Sequence, residues 1–394
     1  MFFRLLLALP HLIWIGIWAV GVFFVAIFNW FATLFTARPP LFCHNFLTAF
    51  VRYSAHLTAY LSLTCNQFPD FVGRPGSYPV DVHMPEEPQM QNRWKTGFRV
   101  LLGIPAFFMD STLVGGGGRS GYYFTGGALW TNAFLAWWAC LFTGRMPEGL
   151  RDLNLYALRY GAQTQAYALL VTDRYPDADP FVEPTVASAP YHPVRLTADE
   201  EMRRSRLTVF FRILLAIPHI VWLLLWGILA LLLGIFSWFA ALFTGQIPEG
   251  VHNLQTRYVR YYTHVSAFLW LTANPFPGFA GAEGSYPVDV QIDPRQPQNR
   301  WKTAFRVFLA VPALLVSSAL GGTLFVAAFL GWFVALFTAR MPRNLRQAQV
   351  FALRYSAQLY AYGYLLTDRY PHASPAPPAA EPAALEPAAP APAV

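Results

Sequence analysis

From Leu207 to Phe243 only Arg212, His219 and a few small polar side chains interrupt an apolar run. As a helix it would extend about 55 Å, nearly twice the roughly 30 Å hydrocarbon core of a bilayer. The composition agrees with a membrane setting. Residues of the AVILMFWYC set make up 55% of the chain and Asp, Glu, Lys and Arg only 12%, against about 25% charged residues in soluble domains. An aromatic share of 17% fits as well, because Trp and Tyr gather where an apolar slab meets water. The chain reads as an integral membrane protein, mainly α and polytopic.

The run is one of four. Phe2-Phe3-Arg4 to Pro10-His11 recurs as Phe210-Phe211-Arg212 to Pro218-His219, and Arg52-Tyr53 as Arg260-Tyr261 at the same spacing. Ser77-Tyr78-Pro79-Val80-Asp81-Val82 recurs at Ser285 to Val290, and Thr172-Asp173-Arg174-Tyr175-Pro176 at Thr367 to Pro371. The two registers resemble each other, which divides the chain into units 1–75, 76–180, 190–282 and 283–372. A linker at 181–189 separates the halves, and an Ala/Pro tail at 373–394 is expected to be disordered. Unit one begins at Met1, opposite Val209, without the Tyr-Pro-Val or His-Pro-Val lead-in of the others (Tyr78, His192, Tyr286), which suggests a native start upstream.

A run too long for one crossing fits a transmembrane helical hairpin. In unit two the run contains Val114-Gly115-Gly116-Gly117-Gly118-Arg119-Ser120-Gly121, which unit four lacks. A polar Gly-rich stretch belongs at an aqueous tip, since lipid leaves its backbone groups without partners. Among 28 Lys and Arg only Arg119 falls in a tip, so the basic ends of all four hairpins face the cytoplasm under the positive-inside tendency. One tilted crossing per run, with the next helix returning, is the alternative.

After each run Phe-Thr-Gly/Ala ends one helix and a proline starts another. In unit three this next helix carries Asn253, Arg257, Arg260 and His264 on one face; unit one has Asn45, Arg52 and His56. Unit two has Asp152, Arg159 and Gln163, and unit four Gln347, Arg354 and Gln358. A helix polar on one side and apolar on the other is expected to lie amphipathically in the interface. The Val-rich lead-ins predict short β-strands on the cytoplasmic side.

The run Arg-x5-Pro-His, Leu-Phe-Thr-Gly-x-x-Pro-Glu-Gly, Arg-Tyr and Leu-Thr-Asp-Arg-Tyr-Pro resembles a bacterial membrane family, domain of unknown function 4389. Arg212 to Gly250 and Phe142 to Pro176 carry the resemblance most closely. It implies a bacterial inner-membrane location and no reaction. Units one and three depart from it, with Asn66-Gln67-Phe68-Pro69 and Asn274-Pro275-Phe276-Pro277 in place of Asp-Arg-Tyr-Pro.

Several residues stand out as candidate sites. Arg52, Arg159, Arg260 and Arg354 recur in every unit and are read as headgroup contacts or a solvated face. Arg93, Trp94 and Lys95, and Arg300, Trp301 and Lys302, are read as cationic and aromatic anchors. His11 and His219 are intramembrane polar residues, expected to bond the carbonyls that Pro10 and Pro218 set free. No nucleophile, acid/base or metal-ligand constellation accompanies them, Cys43, Cys65 and Cys140 are scattered, and no cofactor is implied. The basic residues are not gathered on a soluble face for nucleic acid. The expectation is a non-enzymatic scaffold binding anionic lipid or protein partners at the inner leaflet; the alternative is a repeat-built transporter or channel with an Arg/His-lined path.

Overall fold

The computed structural model describes residues 3–115, 127–182, 189–199 and 201–376. In chain order they form α1 (Arg4–Thr36), α2 (Leu41–Leu61), α3 (Arg93–Gly97), α4 (Arg99–Leu113), α5 (Ala128–Thr143) and α6 (Glu148–Ala168). Then come β1 (Val194–Ala198), α7 (Arg206–Phe210), α8 (Arg212–Thr244), α9 (Glu249–Leu269), β2 (Val288–Ile292), α10 (Arg300–Ala304), α11 (Arg306–Thr338) and α12 (Arg343–Gly363). The chain is mainly helical, and α1, α8 and α11 are each long and apolar enough to cross a membrane.

The hairpin expectation fails in three units. Each of these runs is one continuous helix of 33 residues, about 50 Å at 1.5 Å per residue. A lone Gly or a Pro near the start leaves most of the backbone ladder intact, and opening it mid-run would strand polar groups in an apolar setting. In unit two the inserted stretch leaves the helix and returns to it. A Cβ on Gly127 would lie 2.6 Å from Gly115 N and 2.8 Å from Thr112 O, so the ends of α4 and α5 meet. Arg99 at the start of α4 is seated at the end of α6, as Arg306 is at the end of α12, and α5 ends in a left-handed Gly144 as α11 ends in Ala339. With both termini placed alike, α4 and α5 run end to end in place of one long helix. The proposed tip at Gly116–Gly121 lies outside the described residues. Cations now stand at both ends of the long helices, Arg4 opening α1 and Arg38 following it, so the one-sided basic face no longer follows from the charges.

Each long helix meets the rest of the protein along one seam. On α1 it contains Arg4, Ala8, His11, Val22, Asn29 and Thr33, all buried, at helical spacing. Arg212, Ala216, His219, Ala230, Ser237 and Ala241 form it on α8. The polar side chains of the run thus face inward, and Leu, Ile and Phe cover the rest. Within each half the second helices pair, α2 with α6 and α9 with α12; the halves join where α4 and α5 lie on α11. Met109, Leu113 and Leu129 meet Val316, Leu320 and Leu324 there.

The junctions explain the recurrent Leu-Phe-Thr. Thr36, Thr143, Thr244 and Thr338 each donate a hydroxyl to the carbonyl four residues back at 2.7 Å. The following residue is left-handed: Ala37, Gly144, Gly245 or Ala339, at φ 57–75°. A side chain there costs about 1–2 kcal/mol that glycine avoids. Ala37→Gly and Ala339→Gly should therefore each add about 0.5–1 kcal/mol after glycine's own entropy. A higher Tm in detergent is the expected result, and an unchanged or lower Tm would count against the strained cap.

Two lead-in segments, β1 and β2, pair antiparallel. Val80-Asp81-Val82 forms no strand. The first residues of the expected disordered tail are ordered. Ser374 donates to Asp152 Oδ2 at 2.7 Å, and its carbonyl accepts from Arg354, so 373–376 are packed and buried despite their Ala/Pro composition.

Candidate functional site

Four arginines that open the long helices share one arrangement. Arg4, Arg99, Arg212 and Arg306 lie over the rings of Tyr60, Tyr167, Phe268 and Tyr362 at 4.1–4.5 Å. Each also donates to carbonyls at the end of its unit's second helix, such as Tyr60 O and Cys65 O for Arg4, or Tyr362 O and Thr367 O for Arg306. That turn contains a left-handed leucine in every unit: Leu63, Leu170, Leu271 and Leu365. The chain there cannot complete its own helical bonds, so the guanidinium supplies donors. Asp173 and Asp368 neutralise Arg99 and Arg306, whereas Arg4 meets the neutral Asn66 Oδ1 at 2.9 Å. The Asp of Asp-Arg-Tyr-Pro is thus a clamp partner. Sequence reasoning did not isolate this role, although the Arg-x5-Pro spacing was its signal.

The second set of arginines turns inward. Arg52, Arg260 and Arg354 are buried and Arg159 half-buried. They bond carbonyls 20 to 23 residues downstream: Gly73 for Arg52, Asp179 and Val182 for Arg159, Gly281 for Arg260, Ser374 and Ala376 for Arg354. The stripe is solvated only at its start, where Asn45, Asn253 and Arg257 are exposed. Its later turns pass beneath the loop that follows each helix, and buried carbonyls hold the cations there.

In the odd units this becomes a cation–carboxylate–imidazole cluster. Asp81 Oδ1 lies 3.2 Å from both Arg52 Nε and His56 Nε2, and Asp289 Oδ1 lies 3.4 Å from Arg260 Nε and 2.8 Å from His264 Nε2. Burial works against ionising Asp289, but hydrogen bonds from His264, Gly284 N and Val290 N outweigh it and hold its carboxyl below the usual range.

His11 and His219 do not bond the freed carbonyls. Their Nδ1 atoms share 2.7 Å hydrogen bonds with the hydroxyls of Tyr53 and Tyr261. Phe68 and Phe71 enclose the first ring, Phe276 and Phe279 the second. Each histidine is fully buried in its own aromatic enclosure. Even units have Ala106 and Ala313 at these places, and the hydroxyls of Tyr175 and Tyr370 reach the alanine backbone. His with Phe in one pair of units and Ala with Tyr in the other are two fillings of one space. This accounts for Phe68 and Phe276 in place of the Tyr of Asp-Arg-Tyr-Pro.

The anchors are exposed. Asn92 and Asn299 side chains accept backbone N–H groups at the starts of α3 and α10, which leaves Trp94 79% and Trp301 77% exposed. Lys95 pairs with Asp173 at 3.4 Å. Beside α10 a groove of about 830 Å³ runs between α8 and α11, floored by Tyr262, Tyr360 and Tyr364. Trp238, on its wall, donates to Thr303 O of α10 at 2.8 Å, so the anchor sits at the groove's end. Among the described residues no three His, Cys, Asp or Glu gather as a metal-ligand set.

A family described as Domain of unknown function (DUF4389) matches residues 1–73, 121–178, 206–280 and 300–374. No curated protein and no solved structure matches the chain.

Proposed function

Because the chain belongs to the DUF4389 family, carrying its domain in four tandem copies, we propose a function free of any assigned reaction: a non-enzymatic scaffold of the bacterial inner membrane that binds anionic lipid. The observation that carries it is the groove between α8 and α11, with Arg300, Trp301 and Lys302 at its end. Its walls come from two helices of membrane length and apolarity, which suits an acyl chain. The exposed cations and indole at its end suit an anionic headgroup and the interface. Arg306 also lines the groove, but Asp368 already meets its charge, so the headgroup falls to Arg300 and Lys302. The matching exposed cluster Arg93, Trp94 and Lys95 at α3 would give the first half a second anionic-lipid contact. Protein partners would be organised by the loops and the β1–β2 ribbon.

A non-enzymatic reading is supported by how the ionisable groups are used. The buried arginines bond carbonyls or carboxylates, and His11 and His219 bond tyrosines within separate aromatic enclosures.

Native mass spectrometry of detergent-solubilised protein should show preferential retention of phosphatidylglycerol over phosphatidylcholine. Arg300→Gln with Lys302→Gln should weaken that preference by about 1 kcal/mol per charge removed. Equal retention of the two lipids, or a preference that survives the double substitution, would sink the lipid reading.

A further inference from the structure

The β1–β2 ribbon is built on a local two-fold. Leu196 pairs with Val290, its own counterpart in the repeat, and the flanking pairs follow symmetrically. Each strand accordingly meets an equivalent helix, β2 on α9 and β1 on α12. The two sites differ in charge. On α9 the carboxylate of Asp289 takes up Arg260, His264 and the Gly284 N–H. On α2 Asp81, from the lead-in of unit two, does the same with Arg52, His56 and the Gly76 N–H. On α12 the matching segment reads His192-Pro193-Val194-Arg195. Arg195 stands where Asp289 stands, Gln358 replaces His264, and Arg354 keeps the place of Arg260. An internal carboxylate has been exchanged for a cation. A cavity of about 260 Å³ lies there, lined by His192, Arg195, Arg354, Gln358, His372 and Phe181 among others, with no carboxylate among the described residues of its wall.

The chemistry of that wall is cationic and donor-rich. Arg354 is 8% exposed and its Nε has no partner. Among the described residues no carboxylate lies within ion-pair distance of it, and its other nitrogens reach only the Ser374 and Ala376 carbonyls. Burial brings Arg354 down to about 10, which leaves it charged at neutral pH. His192 is 4% exposed. Burial first, then the charges of His372 and Arg354, take it down to about 4, so it is neutral. His192 Nδ1 lies 3.0 Å from Val194 N and 3.2 Å from Val194 O; in the tautomer that accepts from the Val194 N–H, the shorter contact, the ring proton is on Nε2, an atom without a hydrogen-bond partner. Ser374 N–H likewise donates to His372 Nδ1 at 3.3 Å, and that ring's Nε2 lies beside Gly149, 3.5 Å from where a Cβ there would stand. Arg195 is already paired with Asp293 at 3.1 Å and contributes field more than a free charge. A buried cation without a counter-charge is costly, and an anion relieves it.

We propose that this cavity binds a small oxyanion of the phosphate class, which takes the place that the Asp289 carboxylate fills in the sister site. Arg354 supplies the charge, and Nε2–H of His192 supplies a directed hydrogen bond. The proposal does not rest on lipid binding at the α8–α11 groove, and either can fail alone.

Calorimetric titration of the detergent-solubilised full chain with inorganic phosphate, against chloride of equal ionic strength, tests it. The wild type should bind with one site. Arg195→Asp, which restores a carboxylate from within, should weaken binding at least tenfold. His192→Phe, which keeps bulk and removes the donor, should do the same and serves if Arg195→Asp fails to fold, as judged by helical circular dichroism. Glycerol 3-phosphate and dihexanoyl phosphatidic acid distinguish the source. Binding of inorganic phosphate or glycerol 3-phosphate supports a free oxyanion, and binding of the lipid alone overturns it. No binding by the wild type, or unchanged affinity in a folded variant, overturns the site.

Discussion

Arg306→Met should lower the unfolding free energy by about 3–5 kcal/mol, the usual cost of removing one partner from a buried ion pair. The guanidinium donates to Tyr362 O at 2.7 Å, Thr367 O at 2.9 Å and Gln298 Oε1 at 3.0 Å, and pairs with Asp368. Methionine fills much of the same volume over the Tyr362 ring but donates nothing. Thr367 O would then lose its guanidinium donor and Asp368 its counter-charge, while Tyr362 O keeps the Leu365 N–H and Asp368 Oδ2 the Asn299 N–H; a buried group left unsatisfied costs about 1–3 kcal/mol. Arg300→Gln is the control, since an exposed cation outside any network usually shifts stability by less than about 0.5 kcal/mol. Denaturant unfolding in detergent separates the two. If Arg306→Met unfolds with the control, the clamp does not hold the helix ends together.

The second large effect is at Gly281. Its φ is +55°, and a Cβ there would lie 2.3 Å from Arg257 O and 2.9 Å from Tyr261 Cβ. Those atoms belong to helix α9 and cannot retreat as a flexible side chain could. Gly281→Ala combines a left-handed penalty of about 1–2 kcal/mol with overpacking of about 1–3 kcal/mol. Gly284→Ala isolates the first contribution, because Gly284 has φ +68° and nothing within 4 Å of its Cβ position. The expected result is a loss at Gly281 clearly larger than at Gly284. Equal losses would mean that the loop does not dock this closely. The loop also carries Phe279, which stacks on His219 at 4.4 Å. Lifting it should expose a histidine that is otherwise fully buried, read as faster modification by diethyl pyrocarbonate.

The repeat was legible because identical side chains recur where identical contacts are made: the clamping arginines, the Thr after each long helix, the paired His and Tyr. Two things were not legible. Length alone does not separate a hairpin from one long helix, because both satisfy the backbone and both need an apolar run. The glycines beyond Val114 looked like a tip, yet the contact of Gly127 with Gly115 is long-range and leaves no trace in local composition. Helical spacing placed Arg260 and His264 on one face, but spacing does not say which way a face points. Carbonyls from a loop 20 to 23 residues further on turned it inward. The exchange of His and Phe for Ala and Tyr was readable in principle. Both departures fall in the same two units, which is what one shared space requires.

The ribbon register has a consequence for ancestry and assembly. A strand that pairs with its own counterpart, residue for residue about Leu196 and Val290, is a contact between two copies of one surface. Such a contact is isologous, the kind that closes a two-fold homodimer. Units three and four therefore meet as two protomers of a single-unit ancestor would meet. Within one chain the two copies can differ, and Arg195 at the place equivalent to Asp289 is a difference that a symmetric homodimer could not hold on one side only.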